Sequence, residues 1–346
     1  MEYVPLLRGR EGELKALGEI SPEVRTRIRP VLEVVLDGTP RRTVQKFFRQ
    51  AGNHLPADLT ITLDCGSLIQ YGPIGTGYTG AANGWLSEAF DQFKFSIIPV
   101  VRTTDPPAAL AEARDAQLLH RQGICLRIDI QDPSASSARR RRLVDSVLET
   151  LDLGPVHIDL LLDVGYLPDA RAVTWAARSA LGLLDWSRAS PWRSTALAAG
   201  SFPRSVADRP KARRLRLHRW ETDLWHHVAQ HCGGDPPAFA DYGVTHPVHP
   251  TNPRPGKPNL RYTNGRDWDV LVANSYDNDE FYDLCELLLG SPAWPPTAMP
   301  LSWGDREFAL RAGTRPGPGA GREWRAWATS HHLAHVSDRI HTYGTP

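Results

Sequence analysis

The chain reads as an α/β protein: a (β/α)8, TIM-barrel-like fold with a C-terminal α+β extension. Three observations predict it. Short apolar runs rich in β-branched residues alternate eight times with longer stretches of helical periodicity before residue 250. The runs are almost continuously apolar, as parallel strands covered on both faces require. The competing architecture, a doubly wound open sheet, needs fewer strands and usually a three-glycine phosphate fingerprint after its first strand. Here that strand ends Leu7-Arg8-Gly9-Arg10-Glu11-Gly12-Glu13, with no third glycine at that spacing.

The units follow in order. Tyr3–Leu7 precedes a helix around Glu11–Leu17, and Pro30–Val35 precedes Thr43–Ala51. Leu59–Asp64 leads through a glycine-rich loop, Gly72–Gly80, to a helix near Ala82–Phe93. Phe95–Arg102 is followed by Pro107–Leu119, Gly123–Ile130 by Ser137–Leu151, and His157–Val164 by Asp169–Leu184. The weaker seventh run, Thr195–Phe202, leads to a helix over Arg219–His231, and Phe239–Val244 is the eighth. This places the barrel in residues 1–250. Residues 251–346 read as an extension packed on it. There Asn259–Thr263 and Val270–Ser275 alternate like a hairpin joined through Asn264-Gly265. Phe281–Leu289 is a short helix and Trp324–His341 a final amphipathic one.

Composition narrows the function. Of 346 residues, 40 are Lys or Arg and 39 Asp or Glu, a net charge of +1, which argues against a nucleic-acid-coating protein. The cations are five Lys against 35 Arg. Coding bias accounts for such a ratio; anion recognition by the planar two-pronged guanidinium is the sharper reading. No apolar run reaches the roughly 18 residues of a membrane span, and the N-terminus lacks the basic and apolar regions of a signal peptide. Cys65, Cys125, Cys232 and Cys285 show no zinc-ligand spacing, and are read as reduced core thiols of a cytoplasmic protein.

The barrel reading places ligands at the C-terminal strand ends, where the loops converge. Those ends carry Arg8, Glu33, Asp64, Arg102, Arg127 with Asp129, Asp163, Ser201, and Asp241 with Tyr242. Arg127 and Asp129 stand two apart and share a face. Glu33, followed by Val34 and Val35, is expected one layer deeper. Buried charge is costly unless paired, so these residues ask for a shared network or for a ligand that completes one. Arg–carboxylate pairs that merely fill a barrel interior are the plain alternative. Two chemistries compete. Arg8, Arg102 and Arg127 would form an anion pocket, with carboxylates holding the guanidinium groups. Glu33, Asp64, Asp129 and Asp163 would instead hold Mg²⁺ with water ligands. Asp129, Asp163 and Glu33 are the candidates for a catalytic role, and no residue pattern assigns a cofactor.

Other motifs carry less. Gly72–Gly80 lacks the lysine of a phosphate-binding loop and reads as a cover over the barrel mouth. Arg139–Arg142 reads as a solvated helix face. His331 and His335 share a helix face, without the glutamate of a zinc-protease motif. The pair is read as structural or pocket-lining, and Trp324 and Trp327 as packing anchors.

Several segments in order resemble the family of phage and bacterial beta proteins: Tyr3-Val4-Pro5-Leu6-Leu7-Arg8-Gly9-Arg10-Glu11-Gly12-Glu13-Leu14-Lys15-Ala16-Leu17, Arg29-Pro30-Val31-Leu32-Glu33-Val34, Arg219-Trp220-Glu221 with Trp225, Asp241-Tyr242-Gly243, Arg261-Tyr262-Thr263 with Trp268, and Trp324 through His331-His332-Leu333. The resemblance covers nearly the whole chain. Arg8 stands where lysine is equally expected, and either keeps a cation. One phage member of the family protects its host against a toxic gene product carried beside it. The resemblance therefore implies a barrel-like fold and an antitoxin-like or defence role in phage–host conflict, with a toxin or defence-system protein as partner; the arginines of the barrel mouth add an anionic small molecule as the other expected partner. It carries Arg8, Glu33, Asp241 and Tyr242 over as matching positions, without catalytic assignments. The alternative function is a metal-assisted hydrolase or phosphodiesterase on the same scaffold.

Overall fold

The computed structural model describes residues 2–71, 82–130, 137–206, 213–249, 256–295 and 301–346. Eight strands close into a barrel: β1 (Tyr3–Arg8), β2 (Val31–Glu33), β3 (Ile61–Asp64), β4 (Ile97–Arg102), β5 (Ile124–Asp129), β6 (Ile158–Tyr166), β7 (Ser194–Gly200) and β9 (Ala238–Asp241). All pair in parallel, and β9 returns to β1 through Tyr3↔Phe239 and Pro5↔Asp241. The covering helices are α1 (Glu11–Gly18), α2 (Pro22–Arg25), α3 (Pro40–His54), α4 (Ala82–Gln92), α5 (Pro107–His120), α6 (Ser137–Leu151), α7 (Ala170–Ser187) and α8 (Trp220–His231). The expected α/β barrel is what the chain forms.

Three details differ from the sequence expectation. A strand not foreseen, β8 (Arg214–His218), lies between the seventh and eighth barrel strands. It pairs antiparallel with β11 (Asp267–Val272), which pairs with β10 (Asn259–Asn264). Its Arg-Leu-Arg-Leu-His alternation is the period-two signature of a half-buried strand, with Leu217 buried and Arg214 and Arg216 exposed. A helix not foreseen, α10 (Trp303–Gly313), is started by a capping box in which Ser302 and Asp305 exchange side-chain and backbone hydrogen bonds. Glu33 is not mid-strand: β2 ends on it, and Val34 turns to donate its backbone N–H to the Asp64 carbonyl at 2.8 Å.

The remaining helices are α9 (Glu280–Leu289) and α11 (Gly321–Tyr343). α11 packs on α1, β1, α10 and β10. Trp324 stacks on Phe281 with ring centroids 4.9 Å apart, and Trp327 joins the same buried cluster with Phe308 and Tyr262, so both tryptophans are anchors of packing. All four cysteines are buried and unpaired. Among the described residues no helix is long and apolar enough to cross a membrane. The loop Gly72–Gly80 lies outside the described residues, and the Arg139–Arg142 run is mostly exposed on α6.

Strand parity decides what reaches the barrel interior. Leu6, Val31, Val100, Cys125, Leu161 and Ala240 form one interior apolar cluster. Side chains two residues apart share a face. Two positions further along the same strands, or just past the end of β9, stand Arg8, Glu33, Arg102, Arg127, Asp163 and Tyr242. Asp64 follows buried Thr62 in the same way. The register levels them: Arg8 is beside Glu33, Glu33 beside Asp64, and Arg102 beside Arg127. One polar layer therefore caps the apolar interior at the C-terminal end of the strands.

Candidate functional site

Arg127 is the centre of this layer. Its Nε donates to Asp163 Oδ2 at 3.0 Å. Nη1 donates to Glu33 Oε1 at 2.7 Å and Asp64 Oδ2 at 2.6 Å. Nη2 donates to Asp163 Oδ2 and to the Tyr242 hydroxyl oxygen, both at 2.7 Å. A guanidinium has five N–H groups, and these five contacts use them all. Arg102 forms a two-pronged pair with Asp64, Nη1 to Oδ1 at 3.0 Å and Nη2 to Oδ2 at 2.6 Å. It passes over Gly66, where a Cβ would run into the guanidinium and push Arg102 off its present position.

The electrostatics follow from this geometry. Burial alone would raise the Asp64 carboxyl, but Arg102 and Arg127 outweigh it and hold Asp64 well below the usual carboxylate range. Burial, then Asp163, keeps Tyr242 a neutral phenol, which donates its O–H to Asp163 Oδ2 at 2.7 Å. Against burial, Arg102 is pushed up by Asp64, and Arg127 by Tyr242 and then by Asp163, Glu33 and Asp64. A Mg²⁺ ion shared by Glu33, Asp64 and Asp163 would take the position that Arg127 fills. Among the described residues no group of three His, Cys, Asp or Glu side chains is arranged to hold a metal. Likewise Arg127 has no N–H left for an anion.

The other predicted residues lie elsewhere. Asp129, level with Asp163, ends β5 with its side chain exposed. Asp241 faces away from Tyr242, because adjacent residues point to opposite sides of a strand. It belongs to a second, fully buried network between barrel and α11. There it accepts from Tyr3 Oη at 2.7 Å, Arg219 Nη2 at 3.2 Å and His332 Nε2 at 2.9 Å. Burial pushes His332 down, so it stays neutral. The Thr263 hydroxyl donates to its Nδ1 at 2.7 Å, which puts the ring proton on Nε2, facing Asp241. Burial would raise Asp241, but His332 and Arg219 hold it down at about 2. Ser201 donates to Glu221 Oε2 at 2.5 Å in the same network. Two further α11 histidines are structural: His331 Nε2 donates to the Thr263 carbonyl at 2.8 Å, and His335 Nε2 accepts from the Gly265 N–H at 3.1 Å.

Arg8 opens a different region at the same rim. Only 7% exposed, it donates through Nη2 to the His246 carbonyl. Its Nη1 lies 3.3 Å from His249 Nδ1, while Arg10 Nη2 lies 2.6 Å from His249 Nε2. Burial, then Arg10 and Arg8, pushes His249 down to about 4, so it is neutral near pH 7. A neutral imidazole offers one acceptor nitrogen. The shorter contact assigns it to Arg10, which leaves an N–H of His249 facing an N–H of Arg8 with no acceptor between them. Arg261 and Arg325 complete the group: Arg8, Arg10 and Arg261 are each pushed down, first by burial and further by Arg325. Among the described residues, no ion pair joins Arg8, Arg10 or Arg325 to a carboxylate. Arg10, His249, Arg261 and Arg325 were not foreseen. The Arg8-x-Arg10 spacing was the one signal available; the others come from a loop and from the C-terminal elements.

The fold is similar to that of phosphoribosyl anthranilate isomerase from Thermococcus kodakaraensis, at 13% identity and a TM-score of 0.36, over 71% of this chain and 91% of that one. No curated protein matches the chain. The family model described as Beta protein matches residues 3–338, nearly the whole length, so the order of motifs that first suggested the family holds and the chain belongs to the Beta protein family.

Proposed function

We propose that this chain is a binding protein whose barrel mouth holds an anionic ligand, or an anionic segment of a partner, on Arg8 and Arg10. One observation carries the reading: two guanidinium groups converge on a neutral His249 that can accept from only one of them. An anion entering there supplies the missing acceptor and relieves the crowding of like charge. The family supports the biological setting, a protective, antitoxin-like role in phage–host conflict, in which the anionic group belongs to a toxin or to a small molecule that the toxin uses. The hydrolase reading loses its main support, since Glu33, Asp64 and Asp163 already serve one guanidinium.

Thermal denaturation in inorganic phosphate and in sulfate, at constant ionic strength, tests the binding claim. Both anions are expected to raise the melting temperature of the wild-type chain in a saturable way. Arg8→Ala and Arg10→Ala are expected to remove the rise while remaining folded. A wild-type chain indifferent to both anions sinks the reading. Co-expression with the product of the adjacent gene, scored by host growth, tests the protective role. Growth arrest unrelieved by the wild-type chain speaks against it.

A further inference from the structure

Beside the mouth, a cleft of about 360 Å³ opens between the first turns of α1 and α11 and the side of α3. It is within the size range of small-ligand sites. The two helices are pressed together there: a Cβ on Gly12 would meet the Arg322 carbonyl oxygen at 2.8 Å. Arg10, Glu13, Lys46, Phe47, Arg322 and Arg325 are among its walls. Two of the cations are already paired, Lys46 with Asp37 at 2.6 Å and Arg322 with Glu11 at 2.9 Å. Arg10 and Arg325 are the surplus, and among the described residues the buried Nε of Arg325 has no hydrogen-bond partner.

Glu13 is the unusual wall. It is 1% exposed, and its Oε2 has no hydrogen-bond partner among the described residues. Leaving a buried polar atom unpaired costs about 1–3 kcal/mol, so an unpaired oxygen of a residue in the cleft wall asks for a partner. The charged groups around it are Arg8 on β1, Arg10 in the following turn, Glu33 on β2 and Arg325 on α11, with Asp37 and His249 near Arg10. Burial raises the carboxyl to about 7 against the pull of the three arginines.

We infer that this cleft binds the phosphoryl group of a small phosphate monoester, held by Arg10 and Arg325, with one proton shared between Glu13 Oε2 and a phosphoryl oxygen. The inference rests on the anion-binding reading and adds the ligand class. A monoester carries about −1.5 to −2 charges near pH 7, which matches two surplus guanidinium groups. Its second ionisation, at a pH of about 6, lies close to that of Glu13. Between those two values the pair together holds one proton, and an O–H···O⁻ bond forms whichever oxygen carries it. At lower pH the ligand loses charge; at higher pH two bare oxyanions face each other.

Phenyl phosphate and phenyl sulfate are the probes, with affinities measured by calorimetry from pH 5 to 9. Wild-type affinity for phenyl phosphate is expected to peak between the two ionisations and to fall about tenfold per pH unit on the alkaline side, with one proton taken up per ligand bound. Phenyl sulfate, which does not titrate in this range, should show the alkaline fall and no acid one. Glu13→Gln keeps a donor at the same place and should abolish the alkaline fall for both probes. Arg325→Ala should weaken both at every pH. An alkaline fall that survives in Glu13→Gln, or is missing from the wild type, overturns the inference. So does binding that depends on Arg8 and is indifferent to Arg325→Ala and Glu13→Gln; that outcome leaves the anion-binding mouth standing. No binding of phenyl phosphate, phenyl sulfate or either inorganic ion by the wild type removes both.

Discussion

Two groups of arginine share one rim of this barrel and live under opposite conditions. Arg102 and Arg127 face carboxylates: Asp64 pairs with both, and Glu33 and Asp163 bind Arg127 as well. Their charge is reinforced. Arg8, Arg10 and Arg325 face each other, a neutral histidine and the raised carboxyl of Glu13, and burial, with Arg325, weakens the charges of Arg8 and Arg10 despite the pull of Glu13. Counting N–H groups separates them. Arg127 has none to spare, whereas among the described residues Arg8 has one that meets only another donor. The same residue type at the same height in the barrel thus seals the interior on one side and stands open to a ligand on the other.

The sealed side should give the largest effect. Arg127→Ala strips Glu33, Asp64 and Asp163 of their shared cation and leaves uncompensated buried charge. A loss of about 3–5 kcal/mol is expected in urea denaturation at pH 7. A loss below about 1 kcal/mol would mean that the layer is hydrated and that the distinction between the two sides is false. The two regions should also differ in the sign of their pH dependence. Asp64 is depressed in the folded chain. Its contribution is present above the ordinary carboxylate value of about 4 and lost as pH falls through the folded one. Glu13 is raised, to about 7. Its neutral form favours folding below about pH 4.5, and that contribution is lost as pH rises towards 7. The loss is on the order of 3 kcal/mol, at roughly 1.4 kcal/mol for each pH unit separating the folded from the unfolded ionisation. Glu13→Gln should therefore be more stable than the wild type at pH 8 and similar to it at pH 5. Equal stability at pH 8 would show that Glu13 ionises without penalty.

How far this was legible in the sequence depends on what each step needs. Strand parity needs only the period of two, so the meeting of Asp64, Arg102, Arg127 and Asp163 was readable from eight short runs. The same rule separates Asp241 from Tyr242, which are neighbours and cannot both enter the barrel; grouping them overlooked it. Glu33 misled because apolar Val34 and Val35 extend the run beyond the point where the backbone leaves the strand. Saturation of Arg127 was not readable, since residue types do not reveal how many N–H groups find acceptors. Nor was the cleft. Glu13 looks like any acid in a first helical turn, and its burial depends on α11, more than 300 positions later, packing on α1.

The open side should be nearly silent until an anion is present. Arg10→Ala removes a guanidinium with no carboxylate partner among the described residues, so its stability without added anion is expected within about 0.5 kcal/mol of the wild type. At an anion concentration of 100 times Kd, the wild type should gain about 2.7 kcal/mol that the variant does not. The smallest effect calibrates the rest. Arg25 and Asp58 pair at 3.0 Å far from the mouth, with the Asp58 side chain 71% exposed. Asp58→Ala should cost about 0–1 kcal/mol and leave any response to phosphate intact. If Arg10→Ala and Asp58→Ala blunted that response equally, the response would reflect general screening of surface charge, and the two arginine groups of the rim would no longer need different explanations.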